Sequence, residues 1–147
     1  MGFDCDRPNS PDIAYKLILN EPIIAVCSPE FKRTHKKQLA SDGYLRLPHL
    51  LCDRLHPDKI LAKMEKPSDI VAYFNDIATT RAACLQGVGW ALLPTYAIKE
   101  ELSENLLVQI DDTEFGNAKY GVWWLRHRTY MQDTIEKLIS WLKRQEL

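Results

Sequence analysis

One stretch of 25 residues, from Ile70 to Pro94, constrains the fold more than any other part of the chain. It begins with the apolar run 70–74, ends with the apolar run 88–93, and carries small and apolar residues in between, as in a helix that packs closely on a sheet. Gly87 is typical of a helix terminator, and Pro94 ends the last run because it has no N–H to donate. The stretch predicts a strand, a helix and a second strand, with the two strands as parallel neighbours.

Polar residues follow two of the predicted strands. Asn75 comes after the run 70–74, Thr79 and Thr80 stand where hydroxyls can accept from free helical N–H groups, and Cys52 and Asp53 close a predicted strand at 45–52. Because strand ends and helix starts of a parallel unit share an edge where ligands usually bind, we predict ligand-binding residues there. The candidates are Cys52, Asp53, Asn75, Thr79 and Thr80. The alternative is that Thr79 or Thr80 only caps its helix and that Asp53 only begins a turn.

The rest of the chain alternates predicted strands with predicted helices, which indicates an α/β fold with a mostly parallel sheet. Strands are predicted at 23–27, 106–110 and 120–125. Polar loops are predicted at 31–43 and 111–119, and a loop or frayed strand at 1–12. One short helix is predicted after Asp58, with Ile60, Leu61 and Met64 as its apolar residues, and another after Thr95.

The most regular helix is predicted at 130–144. Its apolar residues follow the spacing of one helical face, and Trp141 is expected to widen that face; the residues are Ile135, Leu138, Ile139 and Leu142.

Length and charge exclude several classes of protein. The 147 residues suffice for one domain with a real core, and 19 basic against 20 acidic residues give no global sign of nucleic-acid binding. A local basic cluster, at Lys32, Arg33, Lys36 and Lys37, is interpreted as solvated surface in a loop, with contact to an anion or a partner as the alternative. Since there is neither a membrane-spanning run nor a signal-peptide pattern, we expect a cytoplasmic protein that does not contact membranes.

Cysteines, histidines and glycines give no catalytic signature. Three of the four cysteines, Cys27, Cys52 and Cys84, lie in apolar runs and are expected to be reduced and buried, whereas a redox-sensing pair is the open alternative. The Gly-Val-Gly turn lacks the third glycine of a dinucleotide fingerprint, and the four histidines share no ligand spacing. We therefore expect no catalytic residues, no metal, no cofactor and no enzyme.

The segment Leu-Gln-Gly-Val-Gly-Trp-Ala-Leu-Leu-Pro, residues 85–94, resembles the effector-binding domain of LysR-type transcriptional regulators. In this family a helix ends in a Gly-x-Gly turn and a strand ending in Leu-Pro follows. The segments 21–29, 106–110 and 120–144 are similar to the family's first crossover strand, its returning strand, and its C-terminal strand and helix. The resemblance covers about residues 17–147.

The resemblance implies an α/β fold of the periplasmic-binding-protein-like type II, in which a small-molecule effector binds in a cleft between two subdomains. Residues 24–110 would form a complete second subdomain, and residues 1–23 and 111–147 a remnant of the first. The five candidate residues would face the cleft, and Ser28 would lie at the far end.

The resemblance also implies partners for a full-length regulator, namely a homodimer or higher oligomer and DNA. The winged helix-turn-helix that contacts DNA in this family is not recognisable in the sequence, so we expect an N-terminally truncated member. Two alternatives are a stand-alone small-molecule-binding or interaction module without DNA binding, and an enzyme on the same scaffold, because fold does not fix function.

Overall fold

A computed structural model describes residues 1–4, 7–55 and 69–145. The helix predicted after Asp58, with Ile60, Leu61 and Met64, lies outside these residues, as does Cys5. The described strands are β1 (Gly2–Asp4), β2 (Ile13–Cys27), β3 (His49–Cys52), β4 (Ile70–Phe74), β5 (Trp90–Pro94) and β6 (Val108–Leu125). The described α-helices are α1 (Pro29–Thr34), α2 (Lys36–Ser41), α3 (Ile77–Leu85), α4 (Lys99–Ser103) and α5 (Gln132–Lys143), with 3-10 helices at Asp53–Leu55, Thr95–Ala97 and Thr129–Met131.

The strands form a mixed sheet in the order β1-β6-β2-β5-β3-β4, which confirms the α/β class, whereas the prediction of a mostly parallel sheet is wrong. Strand β3 runs parallel to both β4 and β5, whereas β2 is antiparallel to β5 and β1 to β6. The prediction that 70–74 and 88–93 are direct neighbours is wrong, because β3 lies between β4 and β5. All four residues of β3 are buried, so a position between two strands suits it better than an edge.

The Gly-Val-Gly turn joins α3 to β5 as a helix terminator followed by a close contact. Gly87 has φ +75°, its N–H donates to the carbonyl of Cys84, and the N–H of Val88 donates to the carbonyl of Ala83. This pattern is a Schellman motif, and it confirms the predicted helix end. At Gly89, an added Cβ would lie 2.5 Å from the carbonyl oxygen of Pro48, so the chain can enter β5 here only with a glycine.

The chain divides into two compact units: unit 1 comprises Met1–Glu21 and Asn117–Leu147, and unit 2 comprises Pro22–Gly116. In unit 2, α3 packs on one face of β2, β3 and β5. The buried residues of this core are Ile24, Val26, Leu50, Cys84, Ala91, Leu93, Ile98 and Leu107. The predicted short helix after Thr95 is present as a 3-10 helix followed by α4, and it supplies Ile98 to the core.

In unit 1, α5 packs on β6 through Ile135 and Ile139, which are buried together with Val122. The predicted apolar face is thus confirmed for Ile135, Ile139 and the partly buried Leu142, whereas Leu138 is not part of this cluster. The helix begins at Gln132 and is preceded by a 3-10 turn. The expectation for Trp141 is wrong, since this side chain remains 52% exposed and lies outside the core contact. Strand β1 gives the segment 1–12 a short paired strand against residues 121–123.

Two predicted loops are regular structure instead. Residues 29–41 form α1 and α2, because the hydroxyl of Ser28 accepts from the N–H of Phe31 and starts a helix that the polar composition concealed. Residues 111–119 continue β6, which is hydrogen-bonded along β2 and therefore needs no apolar side chains to stay extended. Within the part of the chain that the structure describes, no helix is long and apolar enough to cross a membrane.

The second face of the unit 2 sheet carries an aromatic stack at the amino end of β3 and β5. The His49 ring lies parallel to Trp90 with 3.9 Å between ring centroids, and Tyr44 meets Trp90 edge-on at 4.8 Å. The indole N–H of Trp90 donates to the carbonyl of Leu47, while the Nδ1 atom of the buried His49 has no partner among the described residues. Burial lowers the pKa of His49 from 6.5 to about 4, so the ring is neutral near pH 7.

We predict that His49 lowers the free energy of unfolding as the pH is reduced from 6.5 to 4. The unfolded chain binds the proton near pH 6.5 and the folded chain only near pH 4, so stability is full above pH 6.5 and declines toward pH 4, by at most about 3 kcal/mol. In His49→Leu this part of the decline is absent. Urea unfolding of both proteins at pH 7.5, 5.5 and 4.5 measures it, and parallel pH profiles for the two proteins would contradict the prediction.

Candidate functional site

The carboxyl ends of β3, β4 and β5 define one edge of the unit 2 sheet, because the three strands are parallel. Cys52, the last residue of β3, is the register partner of Phe74, the last residue of β4. The residues that follow, Asp53 and Asn75, therefore leave neighbouring strands side by side. This edge, which we call the carboxyl edge, is where parallel α/β sheets usually bind ligands.

Helix α3 begins at the carboxyl edge and is capped by Asp76. One carboxylate oxygen accepts from the Thr79 N–H at 2.7 Å and the other from the Thr79 hydroxyl at 2.7 Å. These hydrogen bonds, first the one from the Thr79 backbone and then the one from its side chain, hold the pKa of Asp76 below its ordinary value. The interpretation that Thr79 or Thr80 supplies the capping oxygen is thus wrong, since the hydroxyl of each donates back to Asp76.

The five predicted site residues reach the carboxyl edge in two groups. Asp53 and Asn75 are exposed there, and Thr79 is exposed beside them with its hydroxyl bound to Asp76. Cys52 and Thr80 lie beneath the surface, 5% and 0% exposed, and the Thr80 hydroxyl donates to the carbonyl of Asp76 at 2.7 Å. The side chains that present polar atoms to solvent are therefore Asp53, Asn75 and Thr79.

Asp76, the N-cap of α3, is not among the residues that the sequence pattern singled out at this edge. Its signal was present, because an Asp or Asn just before a helical run is a typical N-cap, and position 79 supplies the N–H that such a cap binds. Thr79 and Thr80 also carry hydroxyls that can cap a helix start, and the sequence prediction rests on them instead.

A third element of the carboxyl edge, the 3-10 helix after β5, is held in place by Arg81 of α3. One guanidinium nitrogen donates to the carbonyl of Ala97 at 2.8 Å, and Nε lies 3.5 Å from a carboxylate oxygen of Glu101. Arg81 thereby links α3 to the 3-10 helix after β5 and to α4.

Ser28 lies at the opposite edge of the unit 2 sheet, as expected. Strand β2 is antiparallel to β5, with Ile23 opposite Pro94 and Val26 opposite Ala91, so the carboxyl end of β2 meets the amino end of β5. Ser28 is 5% exposed and its hydroxyl serves as the N-cap of α1.

The cysteines at Cys27, Cys52 and Cys84 are free and buried, which confirms the prediction for these three. Burial raises the pKa of Cys27 to about 11 and that of Cys84 to about 12. The Cys84 thiol donates to the carbonyls of Val26 and Gly89 at 3.5 and 3.6 Å. Protonated, enclosed thiols are poor nucleophiles, so the contribution of Cys27 and Cys84 here is packing.

A surface depression of about 380 Å³ lies on α5 of unit 1. All of its lining residues come from that helix or its end, namely Asp133, Glu136, Lys137, Ser140 and Arg144. A ligand site needs convergent walls, and one helix surface does not supply them, so we place the candidate site at the carboxyl edge.

Solved structures similar to this chain include regulators of the LysR type and their regulatory domains. Full-length HypT from Salmonella typhimurium, a hypochlorite-specific regulator, superimposes with a TM-score of 0.74 at 15% identity over 94% of this chain and 50% of that chain. LysG from Corynebacterium glutamicum with bound arginine gives 0.71 at 13% identity over 96% and 50%. The regulatory domain of AphB from Vibrio vulnificus gives 0.70 at 20% identity over 95% and 73%.

The family is shown by the sequence itself. Residues 1–146 match the model of the LysR substrate binding domain, and the chain belongs to that family. It spans about half the length of the full-length regulators that it resembles. A sequence search of curated proteins finds no match.

Substitution of Asp76 tests whether its side chain stabilises the start of α3 at the carboxyl edge. We expect Asp76→Ala to lower the melting temperature at pH 7, because the first turn of α3 loses its N–H acceptor. Since the pKa of Asp76 is lowered in the folded state, this stabilisation is present above the ordinary value of 3.8 and is lost as the pH falls below it. Melting curves at pH 7, 4 and 3 measure the effect. Asp112→Ala, at an exposed aspartate of β6, is the matched control, and equal losses in both variants would contradict the prediction.

Proposed function

We propose that the chain is the effector-sensing regulatory portion of a LysR-type transcriptional regulator and that its small-molecule effector contacts the carboxyl edge of unit 2. The observation that carries the proposal is the side-by-side placement of Asp53 and Asn75 at the ends of β3 and β4, next to the start of α3. Family membership supports the proposed class of function, and the exposed polar groups support the proposed location.

The proposed site stands on hydrogen-bonded and buried elements of the fold. Asp76 and Thr79 satisfy each other, Arg81 anchors the neighbouring 3-10 helix, and β3 is buried along its whole length. Asp53 and Asn75 are therefore free to bind a ligand without giving up described hydrogen bonds of the fold. Cys52 and Thr80 support the site from below, as packing and as a helix-start hydrogen bond, in this proposal.

Sensing requires that the effector bind one conformation of the regulator better than another, because a ligand shifts an equilibrium only by its differential affinity. In a longer regulator that binds DNA and forms oligomers, such a shift would alter the geometry of the assembly. DNA contact through a separate module, oligomerisation and a cytoplasmic location all belong to this proposal.

We infer regulation and not catalysis. The solved relatives named above are transcriptional regulators, and the thiols of Cys27 and Cys84 are protonated and enclosed. The exposed polar pair Asp53 and Asn75 suits hydrogen bonding to a ligand. LysG carries arginine as its effector, so amino acids belong in the first set of compounds to be tested.

Thermal denaturation with a panel of amino acids and small carboxylic acids tests the proposed site. We expect at least one compound to raise the melting temperature, because a ligand at one hundred times its dissociation constant stabilises the folded state by about 2.7 kcal/mol. Asp53→Ala and Asn75→Ala should lose this shift while their melting temperatures without ligand stay close to that of the unmodified protein, since both side chains are exposed.

Asp112→Ala is the control, because Asp112 is also an exposed aspartate of unit 2 but lies on β6. A ligand-induced shift that survives both carboxyl-edge substitutions, or that disappears equally in the control, would contradict the proposed location.

A further inference from the structure

The two short helices that follow β2 carry four cations within six residues. Lys32 and Arg33 lie in the last turn of α1, and Lys36 and Lys37 lie in the first turn of α2. All four side chains are exposed. We call these four residues the basic face. The cluster is local, since the whole chain has a net charge of -1.

The basic face is positioned by a second, inward face of the same helices. Phe31 is buried, and the His35 ring packs on it with 4.2 Å between ring centroids, while the His35 Nδ1 atom donates to the Phe31 carbonyl at 3.0 Å. The N–H of His35 donates to the carbonyl of Phe31, and the N–H of Leu39 to that of His35, so the helical path continues from α1 into α2. Because Phe31, His35 and Leu39 recur every fourth residue and are buried or half-buried, they turn toward the protein and leave the cations on the solvent side.

The charges of the basic face are not compensated by the described part of the chain. None of the four forms an ion pair with a carboxylate of the described residues. Lys32 makes a single side-chain hydrogen bond, from Nζ to the carbonyl of Gln109 at 3.4 Å. The side chains of Arg33, Lys36 and Lys37 have no partner among the described residues, so their charges are available to an anion.

Helix stability does not account for the basic face. Cations suit the last turn of α1, but Lys36 and Lys37 lie in the first turn of α2, where the helix dipole favours acidic residues. Lys32 and Lys36 are four residues apart, as are Arg33 and Lys37, and like charges at this spacing destabilise a helix. An external anion would relieve both effects, which gives the basic face a reason that the fold alone does not supply.

We propose that the basic face binds the phosphate backbone of double-stranded nucleic acid. A duplex carries one negative charge per about 1.7 Å of its axis, and cations four residues apart on a helix are separated by about 6 Å, so several phosphates lie within reach of these side chains. Contacts of Lys and Arg with phosphate position a protein on the duplex without reading its sequence. The contact goes beyond the proposed function, because it needs neither an effector nor a separate DNA-binding module.

The composition of the basic face favours a duplex over other anionic partners. No exposed large apolar side chain of the described residues lies in α1 or α2. A protein interface needs aromatic or apolar anchors, a single strand stacks its bases on aromatic side chains, and a helix on a membrane surface buries an apolar face. A face that offers charge alone fits the regular phosphate array of a duplex.

Fluorescence anisotropy of a short labelled duplex at several salt concentrations tests the basic face. We expect binding at low salt, with a slope of log K against log[salt] of about −3 to −4 for three to four phosphate contacts. Lys36→Gln/Lys37→Gln should weaken binding about tenfold at low salt and make the slope shallower by about 2.

Lys99→Gln/Lys119→Gln is the matched control, because it removes the same charge from two exposed lysines, one at the start of α4 and one on β6. We expect it to keep the slope of the unmodified protein. Circular dichroism verifies that both double variants are folded.

Duplexes of unrelated sequence, poly-glutamate and phosphatidylserine vesicles test the class of partner. We expect unrelated duplexes to bind within about threefold of one another, since phosphate contacts carry no sequence information. Absence of duplex binding at low salt, equal weakening in the two double variants, or tighter binding of poly-glutamate or of the vesicles than of the duplex would overturn the proposal. Since no effector takes part, these outcomes are independent of those for the proposed function.

Discussion

The close approach of Gly89 to Pro48 governs the arrangement of unit 2. The N–H of Trp90 donates to the carbonyl of Pro48 at 2.9 Å, and a side chain at position 89 would collide with that same carbonyl oxygen. This contact sets the start of β5 beside the start of β3, and the parallel register that follows decides which residues leave the sheet together. The contact with Pro48 at the amino ends of β3 and β5 thus helps to determine which residues meet at the carboxyl edge.

Local patterns in the sequence were sufficient for most elements of unit 2 but not for their neighbours. The apolar run at β4, the glycine-terminated α3 and the proline-terminated β5 each follow from a few adjacent residues. The insertion of β3 between β4 and β5 does not, because it depends on which strand buries both faces, and burial is a property of the assembled sheet. The two polar segments that form regular structure were also not predictable from local patterns. Helix α1 depends on one capping hydroxyl, and the middle of β6 depends on pairing with β2.

The candidate site was predictable in position but only partly in roles. The rule that polar residues after parallel strands gather at one edge located Asp53, Asn75 and Thr79 correctly at that edge, while their function as ligand contacts stays a prediction. Burial separated Cys52 and Thr80 from the exposed group, and a sequence does not give the depth of a side chain at a strand end. The two carboxylate oxygens of Asp76 are both engaged by Thr79, which leaves the start of α3 internally satisfied.

The order of the two units along the chain has a consequence for biosynthesis. Unit 2 is one continuous segment, Pro22–Gly116, whereas unit 1 combines the first residues with the last. Every residue of the unit 2 core has therefore been synthesised before Val122, Ile135 and Ile139, the buried residues of unit 1. Since domains generally fold as units during synthesis, unit 2, which carries the carboxyl edge, has all of its core residues available first. The residues before Pro22 can pack only after the last residues of unit 1 have been synthesised.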